Sequence, residues 1–169
     1  MNTDDYLLFL ENAYSKHFTV EKDTQVMDLP IDIYARFSHV GGRTFVTQKD
    51  IIDKFETNEF CFVKSFSELN IDNINIFLTF LKMTAEKIVN PGRDHKCSYI
   101  TGVIVSNGTV DTDIIKIISK FKYTKPYLFY FHGWSDIRLI IVDLKNNSVY
   151  TNSEGKKVKK VYQPTLLNK

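Results

Sequence analysis

The run Ser-Tyr-Ile-Thr-Gly-Val-Ile-Val at residues 98–105 is almost continuously apolar and rich in β-branched side chains. A strand of this kind has no polar face to give to water, so it belongs inside a sheet that is covered on both sides. That requirement calls for helices, and the clearest is 74–89. Ile74, Phe77, Leu78, Leu81, Ala85 and Ile88 fall on one stripe at helical spacing, and Asn90-Pro91-Gly92 ends it, because proline cannot continue a helix. Tyr6, Leu7, Leu10, Tyr14 and Phe18 form a similar stripe behind Thr3 as N-cap, with Asp4 and Asp5 favourable in the first turn. Asp111 is placed to cap a third helix reaching Phe121, with Ile114, Ile115, Ile117 and Ile118 apolar.

The strands are read from alternation and turn chemistry. Thr19–Pro30 is polar and irregular and is read as a connection. Ile31, Ile33, Ala35 and Phe37 alternate with Asp32, Tyr34, Arg36 and Ser38, a strand with one buried face. Gly41-Gly42 signals a hairpin, with a return strand at 43–46. Thr47 and Asp50 resemble a capping box for a short helix through Phe55, and 59–66 is a further strand. Residues 127–131, 137–144 and 148–151, separated by turns at 132–136 and Asn146-Asn147, predict a C-terminal three-stranded meander. The whole is an α+β domain with a mixed, mostly antiparallel sheet and helices packed against it. The expected core is Leu10, Ile33, Phe37, Phe62, Phe77, Leu81, Ile104, Ile118, Phe129, Ile140 and Val142.

A chain of 169 residues is about one domain and buries enough surface to need no staple. Residues 1–169 are read as that single domain, with 155–169 a frayed basic tail. The acidic start has no signal-peptide pattern and no run is long enough to span a bilayer, so a cytoplasmic protein without a membrane partner is expected. Cys61 and Cys97 fit buried free thiols in a reducing compartment. Residues 1–72 carry 7 Lys/Arg against 13 Asp/Glu, and residues 73–169 carry 15 against 7. Such asymmetry arises from a basic partner-facing surface or simply folds into a surface of mixed sign.

Three segments resemble an uncharacterised family of small clostridial proteins, a domain of unknown function. They are DIYARFSHVGGRTFVTQKDIIDKFETNEFCFVK at 32–64, KPYLFYFHGWSDIRLIIVDLKNNSVYTNSEGK at 125–156 and DDYLLFLENAYSKHF at 4–18. The resemblance implies a single-domain bacterial protein. It implies no activity, cofactor or catalytic residue.

The chain contains none of the phosphate-loop, dinucleotide-binding, nucleophile-elbow, zinc-helix or paired-cysteine signatures. His17, His39, His95 and His132 stand apart from other His or Cys at ligand spacing, so no metal site and no cofactor are predicted. His132, Trp134, Asp136 and Arg138 cluster around the predicted turn before the apolar run, where side chains escape a core. The leading reading is therefore a non-catalytic binding module for an unknown protein or small ligand. Its contact surface would be the 132–138 loop, with Trp134 exposed.

Two alternatives stay open. Asp143 and Lys145 end an apolar strand as Asp-x-Lys, which resembles half of the Mg²⁺-dependent motif of restriction-endonuclease-like nucleases. Such an enzyme needs a second acid near Asp143, and Asp136 lies about 23 Å away along an extended strand. Asp111 and Asp113 could approach only through the tertiary fold. That nuclease family also expects its strand meander before the last helix, whereas the meander predicted here follows it. Lys156, Lys157, Lys159 and Lys160, interleaved with Val158 and Val161, suggest a basic nucleic-acid contact or a solvated, aggregation-resistant edge.

Overall fold

The computed structural model describes residues 2–44 and 51–164. Helix α1 (Thr3–Tyr14) leads into strands β1 (Thr19–Val26), β2 (Leu29–Thr44) and β3 (Ile51–Phe66). Helix α2 (Ile71–Ile88), strand β4 (His95–Ser106), helix α3 (Thr112–Lys120) and strands β5 (Thr124–Pro126), β6 (Trp134–Asp143) and β7 (Ser148–Thr151) follow. Two 3-10 turns, Gly155–Lys157 and Lys159–Tyr162, complete the described chain.

The sheet order is β1-β2-β3-β4-β6-β5, with β7 also paired to β6. β1, β2 and β3 form an antiparallel meander. β3–β4 and β4–β6 are parallel, as they must be when α2 and α3 carry the chain back across the sheet. β5 and β7 both run antiparallel to β6. The domain is α+β with a mixed, mostly antiparallel sheet, as the sequence predicts.

Two apolar layers sandwich the sheet. On one face α2 and α3 bring Phe77, Leu81, Ile114 and Ile118 against Phe62, Ile100, Ile104, Ile137, Leu139 and Ile141. Gly102 lets α2 approach closely, since a Cβ there would lie 2.3 Å from Leu81 Cδ1. On the other face α1 sets Tyr6, Leu10 and Tyr14 over Ile33, Ala35, Val103, Val105, Ile140 and Val142. The apolar run at 98–105 is thus covered on both sides.

Several expectations are corrected. Asn2, not Thr3, caps α1, its Oδ1 accepting from Asp5 N at 2.8 Å. Asp111 holds the cap position of α3 without a side-chain capping bond. Residues 19–26 form β1, because their pairing with β2 satisfies a backbone that the polar sequence left unassigned. Gly41-Gly42 is no turn: β2 runs through both glycines and pairs them with Phe55 and Lys54. Residues 51–55 are therefore strand, and Thr47 and Asp50 lie outside the described residues. The sheet carries a further meander, β1–β3, before α2, while the C-terminal strands β5–β7 follow α3. Phe37 and Phe129 are exposed rather than core.

The basic tail is also corrected for 155–164. Tyr162 is buried beneath α1, where Tyr6 Oη donates to its carbonyl at 2.8 Å and Tyr14 Oη lies 2.8 Å from its Oη. Residues 165–169 lie outside the described part.

Candidate interaction site

Between β5 and β6 the predicted strand 127–131 is instead a tight turn. Leu128, Phe129 and Tyr130 take φ of +46°, +52° and +71°, three successive left-handed residues without a glycine. Each costs about 1–2 kcal/mol relative to the right-handed form. The turn closes on itself: Phe131 N donates to Leu128 O at 2.9 Å and Gly133 N to Tyr130 O at 3.0 Å. At its base Tyr127 N donates to Gly133 O at 2.9 Å and His132 N to Tyr127 O at 3.2 Å.

The start of β4 holds this turn from beneath. His95 is buried, with Nδ1 2.7 Å from His132 O and Nε2 2.9 Å from Ser98 Oγ. A carbonyl only accepts, so Nδ1 carries the proton, while Nε2 faces the Ser98 hydroxyl. Tyr127 stands edge-on to His95 at 5.7 Å, and its hydroxyl lies 2.9 Å from Ser135 Oγ. Gly133, at φ +71°, lies so close to β4 that a Cβ would fall 2.1 Å from Lys96 O.

A rigid base therefore presents an apolar tip. Leu128, Phe129, Tyr130 and Phe131 are 60%, 89%, 59% and 79% exposed. Scattered surface hydrophobics need no explanation, but four consecutive large ones on a strained backbone form a candidate contact surface. The sequence reading missed them because a short apolar run is indistinguishable by periodicity from a buried strand. The available clue was negative: Tyr-Leu-Phe-Tyr-Phe has no alternation, and Gly133 follows where positive φ is admitted.

The predicted binding residues lie beside this tip, on a strand rather than in a loop, because β6 already begins at Trp134. Trp134, Asp136 and Arg138 occupy one face at every second position, opposite Cys97, Tyr99 and Thr101 of β4. Thr57, Glu59 and Cys61 of β3 extend the same rows. Trp134 is half-buried and donates from Nε1 to Asp136 Oδ2 at 2.9 Å, while Thr124 donates to Oδ1. Arg138 pairs with Glu59 at 2.8 Å and lies 3.7 Å over the Tyr99 ring. Its buried Nε has no partner among the described residues. His132 instead gives its carbonyl to His95 and its N–H to Tyr127 O. The group is a hydrogen-bonded support with both Asp136 oxygens engaged and only the Arg138 Nε left over.

The other candidates are dispersed. Asp143 is fully buried and accepts from Asn146 N at 2.9 Å and Asn146 Nδ2 at 2.8 Å, closing the β6–β7 turn. Lys145 lies in that turn, exposed, so the two do not share a strand face. Asp113 pairs with Lys116 at 2.9 Å. Among the described residues no three His, Cys, Asp or Glu side chains gather where they could hold a metal ion. Lys156, Lys157 and Lys160 are exposed on the 3-10 turns and Lys159 is half-buried, with Lys157 paired to Glu154. Cys61 and Cys97 are buried free thiols on neighbouring strands, and burial followed by the Glu59 charge pushes Cys61 up to about 12. Among the described residues no helix is long and apolar enough to cross a membrane.

A family model described as a domain of unknown function, DUF8052, matches residues 2–164. The chain belongs to the DUF8052 family. No curated protein and no solved structure matches it. The DUF8052 match takes in the turn at 127–133, its seat on β4 and the Trp134–Arg138 rows, so the candidate surface is part of the family domain. It also takes in the 3-10 turns that carry Tyr162.

Proposed function

We propose that this DUF8052 domain is a non-catalytic interaction module, bacterial and cytoplasmic, that docks a protein partner through the aromatic turn at 128–131. The observation that carries the reading is the exposure of four consecutive large apolar side chains on a left-handed turn held by β4. Aromatic side chains dominate binding energy where they fill a partner's pocket. A tip already fixed in shape loses little conformational entropy on docking. The Asp143–Lys145 pair supports an enzyme less well, since Asp143 spends both carboxylate oxygens on Asn146.

The test replaces the tip without touching its base. Immobilised wild type should retain a defined partner from a bacterial extract, and Phe129→Ser/Phe131→Ser should lose it at least tenfold with an unchanged melting temperature. Equal retention by both proteins would end the proposal. Incubation with DNA or RNA and Mg²⁺ or Mn²⁺ should leave the nucleic acid intact, whereas cleavage abolished by Asp143→Asn would move the protein to the nuclease class.

A further inference from the structure

A second apolar surface lies on the outer side of α2. The β1–β2 turn places Met27 and Asp28, at φ +48° and +65°, beside the helix, and Thr84 Oγ1 donates to Met27 Sδ at 3.3 Å. Between turn and helix runs a groove of about 410 Å³ lined by Met27, Leu29, Ile76, Thr79, Phe80 and Met83, with Asp28 also on its wall. Ile76 and Met83 are exposed on it. Methionine-rich grooves adapt their shape to an aromatic guest. A cavity of about 150 Å³ already accepts benzene, so this groove has room for about two phenyl rings.

We infer that the occupant of the aromatic turn is this groove on a second copy of the chain, an inference that rests on the turn being an interaction surface. Size and chemistry match: Phe129 and Phe131 form the most exposed part of the knob, and the groove offers two methionines, Ile76 and Phe80. Charge matches as well. Asp28 is exposed at the groove, none of whose lining residues is basic, while Lys125 stands at the base of the knob, its Nζ 6.0 Å over the Tyr127 ring and 3.5 Å from the exposed Glu86 carboxylate. Knob and groove are different surfaces, so the contact is heterologous and propagates from copy to copy unless a ring closes.

The test uses two complementary variants of the full chain in analytical ultracentrifugation. The wild type should gain mass with concentration between 5 and 500 μM (about a hundredfold span, wide enough to cross a micromolar Kd). Phe129→Ser/Phe131→Ser, lacking the knob, and Ile76→Lys/Met83→Lys, lacking the groove, should each sediment as monomers. Their equimolar mixture should form a dimer of one copy of each and nothing larger, because only one knob–groove pair remains. Asp28→Lys should weaken association about tenfold and stand in for the groove variant if that variant fails to fold.

A wild type that stays monomeric throughout, or a mixture that stays monomeric, overturns the inference. So does association that the knob variant retains, or knob-dependent binding of the wild type to vesicles of phosphatidylserine and phosphatidylcholine without self-association. Loop-dependent capture of a different protein alongside a monomeric wild type would remove the self-contact and leave the module reading intact. Indifference of both assays to the knob would remove both.

Discussion

At the scale of single residues, the aromatic turn depends on two groups below it. Gly133→Ala places a methyl within 2.1 Å of a fixed backbone oxygen at φ +71°, a conformation that L side chains rarely adopt. The variant should lose about 2 kcal/mol or more, read as a lower urea midpoint, and should release the turn to proteolysis at Phe129 or Tyr130. His95→Ala leaves the His132 carbonyl and Ser98 hydroxyl without their partner, for about 1–3 kcal/mol. Arg138 gives an asymmetric pair of outcomes. Glu59→Ala strands a buried guanidinium and should cost about 3 kcal/mol, whereas Arg138→Met leaves behind the Glu59 carboxylate, which is more exposed and still accepts from Thr101, and should cost less. Equal losses in the two variants would contradict this account. Trp134, Asp136 and Arg138 were legible as a group from residue type alone. Their shared face was not, because the apolar stretch after 136 hid the fact that the strand starts at Trp134. Phe129 was misread for a related reason: an aromatic in an apolar run has the same appearance in a core and on a knob.

At the scale of elements, α1 is tied down by the end of the chain. Burial raises the Tyr14 and Tyr162 phenols well above their ordinary value, and raises Tyr6 likewise. These groups are neutral in the folded state and ionise more readily when unfolded. Their contribution is therefore fully present below the ordinary phenol value of about 10 and is lost as pH rises above it. Cys61, pushed to about 12, adds to the same alkaline loss from the lower starting point of an ordinary thiol. Melting temperature should hold level between pH 7 and 8.5 and fall steeply beyond pH 10. Tyr162→Phe keeps the ring but leaves the Tyr14 hydroxyl with only the Cys61 thiol as partner, at about 1–2 kcal/mol. A melting curve indifferent to pH up to 11 would show that the cluster opens freely. The lysines at 156–160 concealed this role, since charge density reads as a solvated tail while one aromatic, Tyr162, decides the packing.

At the scale of the whole molecule, the two halves of the sequence share one sheet. β3 from the first half pairs with β4 from the second along eleven residues, from Glu56–His95 to Phe66–Ser106. The helix-side core likewise joins Ile31 and Phe62 to Ile100, Ile137 and Ile141. The α+β class was legible because helix stripes and strand alternation are local properties. The parallel pairing of β3, β4 and β6 is set by contacts between distant segments, which no local pattern in one chain reveals. If β1–β3 unfolded alone, β4 would become an edge strand with an apolar face on each side, an arrangement water does not tolerate. Unfolding in urea should therefore be one cooperative transition, with far-UV circular dichroism and Trp134 fluorescence coincident in midpoint and slope. Trp134 reports from the far end of β6, beyond the two cores, so agreement between the probes tests whether that end melts with the rest. A fluorescence change at lower urea would instead mean that the aromatic turn and the Trp134–Asp136 contact open locally, and that the docking tip sits on a yielding support.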